Sequence, residues 1–349
     1  MCAAAGGDGS AMAVHNPQET LQGEEGIIAL LAPLTRGHAG AFDLKDDCAL
    51  LTPEPGTELV LKTDPVAEGL HFLPGDAPQD IAWKALAVNV SDLAAKGATP
   101  LGYLMALSFP AAPTVGWMMD FVEGLEAAQA RFGCHLLGGD TDRRPGPLTI
   151  SITIIGSVPQ GRMVQRATAR AGDALFVSGT IGDAGLGLDL TKDATLQAAW
   201  NLSDAAAGTL RQRYRRPEPR LALAAPLRHY ASAAMDVSDG LVKDLDRMMR
   251  ASGVAGHLLA AEVPLSEPAR TVLAHAPERL SRLITAGDDY EILLAVPSER
   301  ATPFVAAAAA AGVPVTRIGQ VRAGPPELLV EGLDGRPLDL PERTGWDHF

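Results

Sequence analysis

The chain has 349 residues, 47% of them hydrophobic, and a formal net charge of -13. That length predicts two domains of ordinary size, and an acidic chain without a Lys/Arg stripe is a poor match for nucleic acid or an anionic membrane. Cys2, Cys48 and Cys134 are too few and too scattered for a disulfide framework or a zinc site. Residues 1–22 read as a flexible tail with no secretory-signal pattern, and no run approaches the roughly 18 apolar residues that cross a bilayer. The cytoplasm is the expected location. Helical spacing covers Glu24 to Arg36, Ile81 to Lys96 and Val115 to Phe132, with strands expected at Cys48 to Leu51, Leu59 to Thr63, Leu101 to Ser108, His135 to Leu137 and Leu148 to Ile155. The Gly/Pro/Arg-containing stretch 156–172 marks a junction. Beyond it come strands at Ala174 to Ser178, Ala233 to Met235, Leu283 to Thr285, Glu291 to Val296 and Val315 to Ile318. Helices are expected near 184–206 and 219–229, and at Leu241 to Met249 and Thr302 to Ala311. The mixture is α+β, divided as 23–160 and 161–349.

Aspartates recur in glycine- or hydroxyl-flanked groups at the ends of apolar runs: Asp46-Asp47, Thr63-Asp64, Ser91-Asp92, Gly139-Asp140, Asp236-Val237-Ser238-Asp239 and Asp288-Asp289. Gathered carboxylates repel unless cations lie between them. Hard cations take oxygen ligands, and Mg²⁺ keeps waters while bridging to phosphate. Each group also has an ordinary structural reading. Asp92 pairs with Lys96 four residues on, Gly138-Gly139-Asp140 forms a tight turn, and Ser238 or Asp239 caps a helix. The segment 179–187 (GTIGDAGLG) resembles a phosphate cradle at a helix start, but it lacks the P-loop Lys and the GxGxxG spacing, and close packing explains it equally well. No Ser/His/Asp, Cys/His or protein-kinase motif set is legible.

In order along the chain stand KDDCALL, KTDPVAEGLHF, ALAVNVSDLAAKGATP, LLGGDTDR, SGTIGDAGLGL, MDVSDGLVKDL, TAGDDYEI and GWDHF. This succession resembles the thiamine-monophosphate kinase family of the aminoimidazole-ribonucleotide-synthetase-like superfamily, over roughly residues 24–349. The resemblance implies ATP- and Mg²⁺-dependent transfer of the γ-phosphoryl group to thiamine monophosphate. It also implies an N-terminal ATP/Mg-binding domain whose mixed sheet pairs across a homodimer, and a C-terminal sheet-and-helix domain. Metal ligands are implied at Asp47, Thr63, Asp64, Asp92, Asp140, Asp236 and Asp239, of which Asp47, Asp92, Asp140 and Asp236 are the expected catalytic acids. Nucleotide contacts fall at Gly139, Asp140, Arg166 and Ser238, and contacts to the thiamine moiety at His71, Asp288 and Trp346. Several Mg²⁺ ions and ATP are the expected cofactors, with K⁺ a further candidate. Lys62 departs from the family's small hydroxyl before Thr63, and its ammonium is expected to displace one metal ion. Lys45 and Asp142 are further departures, and Asp288 stands where Glu is usual, which shortens the reach to substrate.

Overall fold

The computed structural model describes residues 16–341 and 344–346. Cys2, most of the expected tail and the last three residues lie outside the described residues. Helix α1 (Gly23–Leu31) leads through 3₁₀ turns and irregular chain to strand β1 (Thr57–Ala67). Cys48 to Leu51 is not a strand. Leu50 is exposed, and its N–H bonds only to the Gly40 carbonyl of the neighbouring turn.

Helix α2 (Pro78–Ala95) starts with Pro at its first position, where the missing N–H costs nothing. Strand β2 (Thr99–Phe109) follows, then helix α3 (Val115–Phe132), whose Thr114 cap accepts from the Trp117 N–H at 3.2 Å. Strands β3 (His135–Arg143) and β4 (Thr149–Pro159) complete a sheet ordered β1-β4-β2-β3, in which only β2 and β3 run parallel. One face of this sheet packs on α2, which in turn packs on α3. A Cβ at Gly124 of α3 would lie 2.4 Å from the Gln79 carbonyl, so the two helices cross at backbone distance. The other face is open and carries exposed Leu59, Leu61 and Leu104.

The second half contains β5 (Asp173–Ser178), α4 (Asp183–Lys192), α5 (Thr195–Ala199), α6 (Asp204–Arg215), α7 (Ala224–Tyr230), β6 (Ala233–Asp236) and α8 (Leu241–Ser252). It continues with β7 (Ala255–Leu259), α9 (Glu267–His275), α10 (Leu280–Thr285), β8 (Ile292–Pro297), α11 (Ala301–Ala310), β9 (Val315–Arg322) and β10 (Leu328–Glu331). Its sheet runs β10-β7-β9-β5-β8-β6. Strands β5 and β8 are apolar along nearly their whole length because side chains cover both sheet faces. Leu283 to Thr285, expected as a strand, is the end of helix α10. Leu280, Leu283 and Ile284 lie at helical spacing and are buried, a pattern that a three-residue window cannot reveal. The C-terminal end of α2 reaches into the second half, where Ala94 and Ala95 join the cluster around Phe176 and Leu294.

Candidate functional site

Residues of both halves line one cavity of about 1320 Å³. Strand β1 contributes Lys62 and Asp64, α2 contributes Asp92 and Lys96, and the turn after β6 contributes Asp236, Ser238 and Asp239. His71, Asp288 and Trp346 border the same space, as does Arg166. The structure therefore brings together residues from distant parts of the chain.

The strand alternates its side chains between faces, which explains the selection along β1. Val60 and Val66 are buried on the helix side, and Lys62 and Asp64 between them share that face and open onto the cavity. Thr63 points to the open face instead, where its hydroxyl donates to the Ile152 carbonyl at 3.1 Å and accepts from the Thr153 hydroxyl at 3.0 Å. Asp140 pairs in register with Ala106, two residues beyond exposed Leu104, and is also exposed on the open face. Asp47 is exposed in irregular chain. Within this single chain Asp47, Thr63, Gly139 and Asp140 do not line the cavity that holds Asp64, Asp92, Asp236 and Asp239. Gly139 has a packing role, since a Cβ there would lie 1.9 Å from the Met105 carbonyl of β2.

Lys62 bridges two carboxylates, with Nζ 3.0 Å from Asp64 Oδ2 and 2.9 Å from Asp92 Oδ2. The two acids raise its pKa and outweigh the opposing effect of burial, so the ammonium stays charged. Asp92 thus takes Lys62, while Lys96, the partner suggested by helical spacing, donates to the Ala234 carbonyl at 2.8 Å. Burial lowers the pKa of Lys96, against the pull of Asp236 and Asp92. Asp236 is buried, and its Oδ2 has no hydrogen-bond partner. Burial first, and the charge of Asp92 second, hold this carboxyl well above the usual carboxylate range. A buried carboxylate oxygen without a partner is costly unless a proton or cation accompanies it.

The turn after β6 is held from below. Asp244 of α8 accepts from the Ser238 N–H at 3.0 Å and the Asp239 N–H at 2.9 Å, and its carboxyl is pushed up to about 6, chiefly by burial. Asp239 is paired with Arg247 and lies 3.8 Å from Lys243, while its carbonyl accepts from the Trp346 N–H at 2.9 Å. His71 accepts from the Ala67 N–H through Nδ1 at 3.0 Å.

The GTIGDAGLG segment is a packing device and not an open cradle. The Asp289 carboxyl group occupies the helix start, accepting from the Gly182 N–H at 2.8 Å and the Ala184 N–H at 3.4 Å. A Cβ at Gly185 would lie 2.3 Å from the Ala286 Cβ, and one at Gly187 would lie 2.0 Å from the Leu210 carbonyl. Lys84, Tyr214, Asp244 and Tyr290 escaped the sequence reading. Lys84 carried the one available signal, a lysine inside an apolar helix.

No three His, Cys, Asp or Glu side chains among the described residues close on one point. The acids instead border the cavity singly or in pairs, a donor set that fits Mg²⁺, which retains waters and shares phosphate oxygens. The orphaned Asp236 Oδ2 fits the same use.

Two family models match the chain: AIR synthase related protein, N-terminal domain, over residues 45–158, and AIR synthase related protein, C-terminal domain, over residues 170–330. The chain is 43% identical over 325 residues to the thiamine-monophosphate kinase of Caulobacter vibrioides, covering 92% of this chain and 89% of that protein. It is 39% identical over 311 residues to the Salmonella typhimurium enzyme of that name, covering 87% and 90%. Among solved structures, thiamine-monophosphate kinase from Stenotrophomonas maltophilia superposes with a TM-score of 0.76 at 37% identity, over 84% of this chain and 91% of that one. AaThiL complexed with AMPPCP and TMP gives 0.73 at 32% identity, over 94% and 97%. The hydrogenase maturation protein HypE in complex with ATP, at 20% identity and 0.71, shares the fold. By these matches and by its two-sheet architecture, the chain belongs to the thiamine-monophosphate kinase family of AIR synthase-related proteins.

Proposed function

We propose that this protein phosphorylates thiamine monophosphate to thiamine diphosphate by direct in-line transfer from ATP. The observation that carries the reading is the shared cavity. Asp64, Asp92, Asp236 and Asp239 border it alongside Arg166 and Ser238, with His71, Asp288 and Trp346 on the same wall system. AaThiL, similar over nearly its whole length, binds an ATP analogue together with TMP.

The acceptor is itself a phosphate with a second pKa near 6, so its oxygen is largely anionic at neutral pH and needs no strong general base. The difficulty is bringing two anions together. Unit charges about 4 Å apart in an effective dielectric of about 20 repel by roughly 4 kcal/mol. Mg²⁺, when bound, neutralises that charge and the charge spreading over the transferred group. In the proposed site Asp64, Asp92 and Asp236 would hold such ions through the carboxylate oxygens that Lys62 does not occupy, and Asp239 would hold a further one through the oxygen not paired with Arg247 and Lys243. Arg166 offers a bidentate phosphate contact. Asp244 fixes the Ser238-Asp239 backbone, and with it the proposed nucleotide contact at Ser238. At the acceptor end Asp288 supplies a carboxylate and Trp346, partly exposed at the rim, an aromatic face.

The same reading includes a homodimer and a cytoplasmic location. The open sheet face with Leu59, Leu61 and Leu104 supports the dimer, because an apolar sheet face calls for a cover. It would place Thr63 and Asp140 near a second copy. The test is incubation with ATP, Mg²⁺ and thiamine monophosphate, with thiamine diphosphate as readout. Asp236→Ala and Asp140→Ala should each abolish product without unfolding the chain. Near-normal turnover in both variants would refute the assigned roles. No thiamine diphosphate from the wild type would refute the function.

A further inference from the structure

Lys84 lies in the middle of α2, with only 2% of its surface exposed. A buried ammonium persists only where partners repay its lost hydration. Here the partners come from the other half of the molecule. Nζ lies 2.9 Å from Asp288 Oδ2 and 3.8 Å from the centroid of the Tyr214 ring, the second contact being a cation–π interaction. Each partner leads to the acceptor end of the cavity. Asp288 is held in a left-handed backbone conformation at φ 71°, unusual for a side chain other than glycine. Its N–H donates to the Ser238 carbonyl at 2.9 Å, and the Tyr290 hydroxyl donates to its Oδ1 at 3.3 Å. Tyr214, on α6, donates its hydroxyl to the His71 carbonyl at 3.4 Å. One buried cation therefore ties together the two residues, Asp288 and His71, that face the proposed acceptor from opposite ends of the sequence.

We infer that Lys84 is a positioning residue for the acceptor subsite, holding the Asp288 carboxylate and, through Tyr214, the His71 segment in the geometry that receives the non-reacting part of the acceptor. Lys84 does not line the cavity and takes no part in the transfer. Its two arms account for a feature of this chain. Asp288 stands on a left-handed backbone, and its two side-chain torsions alone decide where the carboxylate points. Fixing Oδ2 by the ammonium and Oδ1 by the Tyr290 hydroxyl removes that freedom. Preorganisation of this kind strengthens binding by cutting the ordering cost, without adding a contact to the ligand.

The inference rests on the proposed acceptor, and its test separates the two. Wild-type turnover of thiamine monophosphate is measured first, and its absence overturns both. With an active wild type, Lys84→Met, which keeps length and removes charge, should raise KM for thiamine monophosphate by about ten- to hundredfold while KM for ATP changes by less than about twofold. Tyr214→Phe keeps the ring under the ammonium and removes only the link to His71, so it should raise the same KM by a smaller factor of about three. In a double-mutant cycle, Lys84→Met introduced into Asp288→Asn should have little further effect on that KM, because the two act as one unit. Lys84→Gln is the second variant should the methionine chain fail to fold. Equal changes in both KM values, or fully additive effects of Lys84 and Asp288, would overturn the assignment.

Discussion

Replacing Lys62 with serine tests whether this side chain stands in for a metal ion. Its Nζ is about 3 Å from a carboxylate oxygen of Asp64 and of Asp92, so those two oxygens are no more than about 6 Å apart. Two unit charges about 6 Å apart in an effective dielectric of about 20 repel by roughly 3 kcal/mol. Asp64 is 41% exposed and Asp92 24% exposed at the side chain, so solvent screens part of this, leaving about 1–2 kcal/mol. The ammonium offsets that repulsion in the wild type. In Lys62→Ser the repulsion returns, which favours a divalent cation between the two acids by about five- to thirtyfold in affinity, and a hydroxyl oxygen is added as a further ligand. Titration of the nucleotide-free protein with Mn²⁺, followed by calorimetry or electron paramagnetic resonance, should show one more ion bound per chain in the variant than in the wild type. The Mg²⁺ concentration for half-maximal turnover should rise as well, because an ion now has to fill a place that the wild type fills itself. An unchanged Mn²⁺ count with an unchanged Mg²⁺ titration would discard the reasoning.

Two further predictions concern groups outside the cavity's acids. Burial raises the Asp289 carboxyl above its ordinary value, with Asp183 and Glu291 adding to the effect and the Gly182 N–H and Arg213 opposing it. A raised acid favours the folded state below its unfolded pKa, and that contribution is lost as pH rises through the folded pKa. Asp289→Asn lacks this term, so denaturant unfolding from pH 4 upward should show wild-type stability falling relative to the variant; parallel curves would contradict it. Cys134 is fully buried and its thiol is pushed up to about 12 by burial, whereas Cys48 is exposed. Iodoacetamide at neutral pH should therefore modify Cys48 in the native protein and reach Cys134 only after denaturation, as peptide mass mapping would show. Equal native rates at both thiols would show that the core around Cys134 opens readily.

Long periodic stretches were legible from the sequence. Helix α3 matches its expected bounds, and the Ile81 to Lys96 helix differs by one turn at its start. The weaker signals failed where burial, rather than pattern, decides. Leu283 to Thr285 is too short to show its period, and strands β7 and β10 and helix α9 were not anticipated. The eight motifs in order were enough to identify the family and the acids to watch, because the order and identity of residues are properties of the chain itself. Tertiary structure alone decided which of those acids meet. Adjacent Thr63 and Asp64 go to opposite faces because a strand turns successive side chains away from each other. Lys62 found Asp92 across thirty positions, and Lys84 found Asp288 across 204, pairings set by where a strand, a helix and a turn come to rest. Charge partners at such separations follow from the packing of the elements, and no local spacing encodes them.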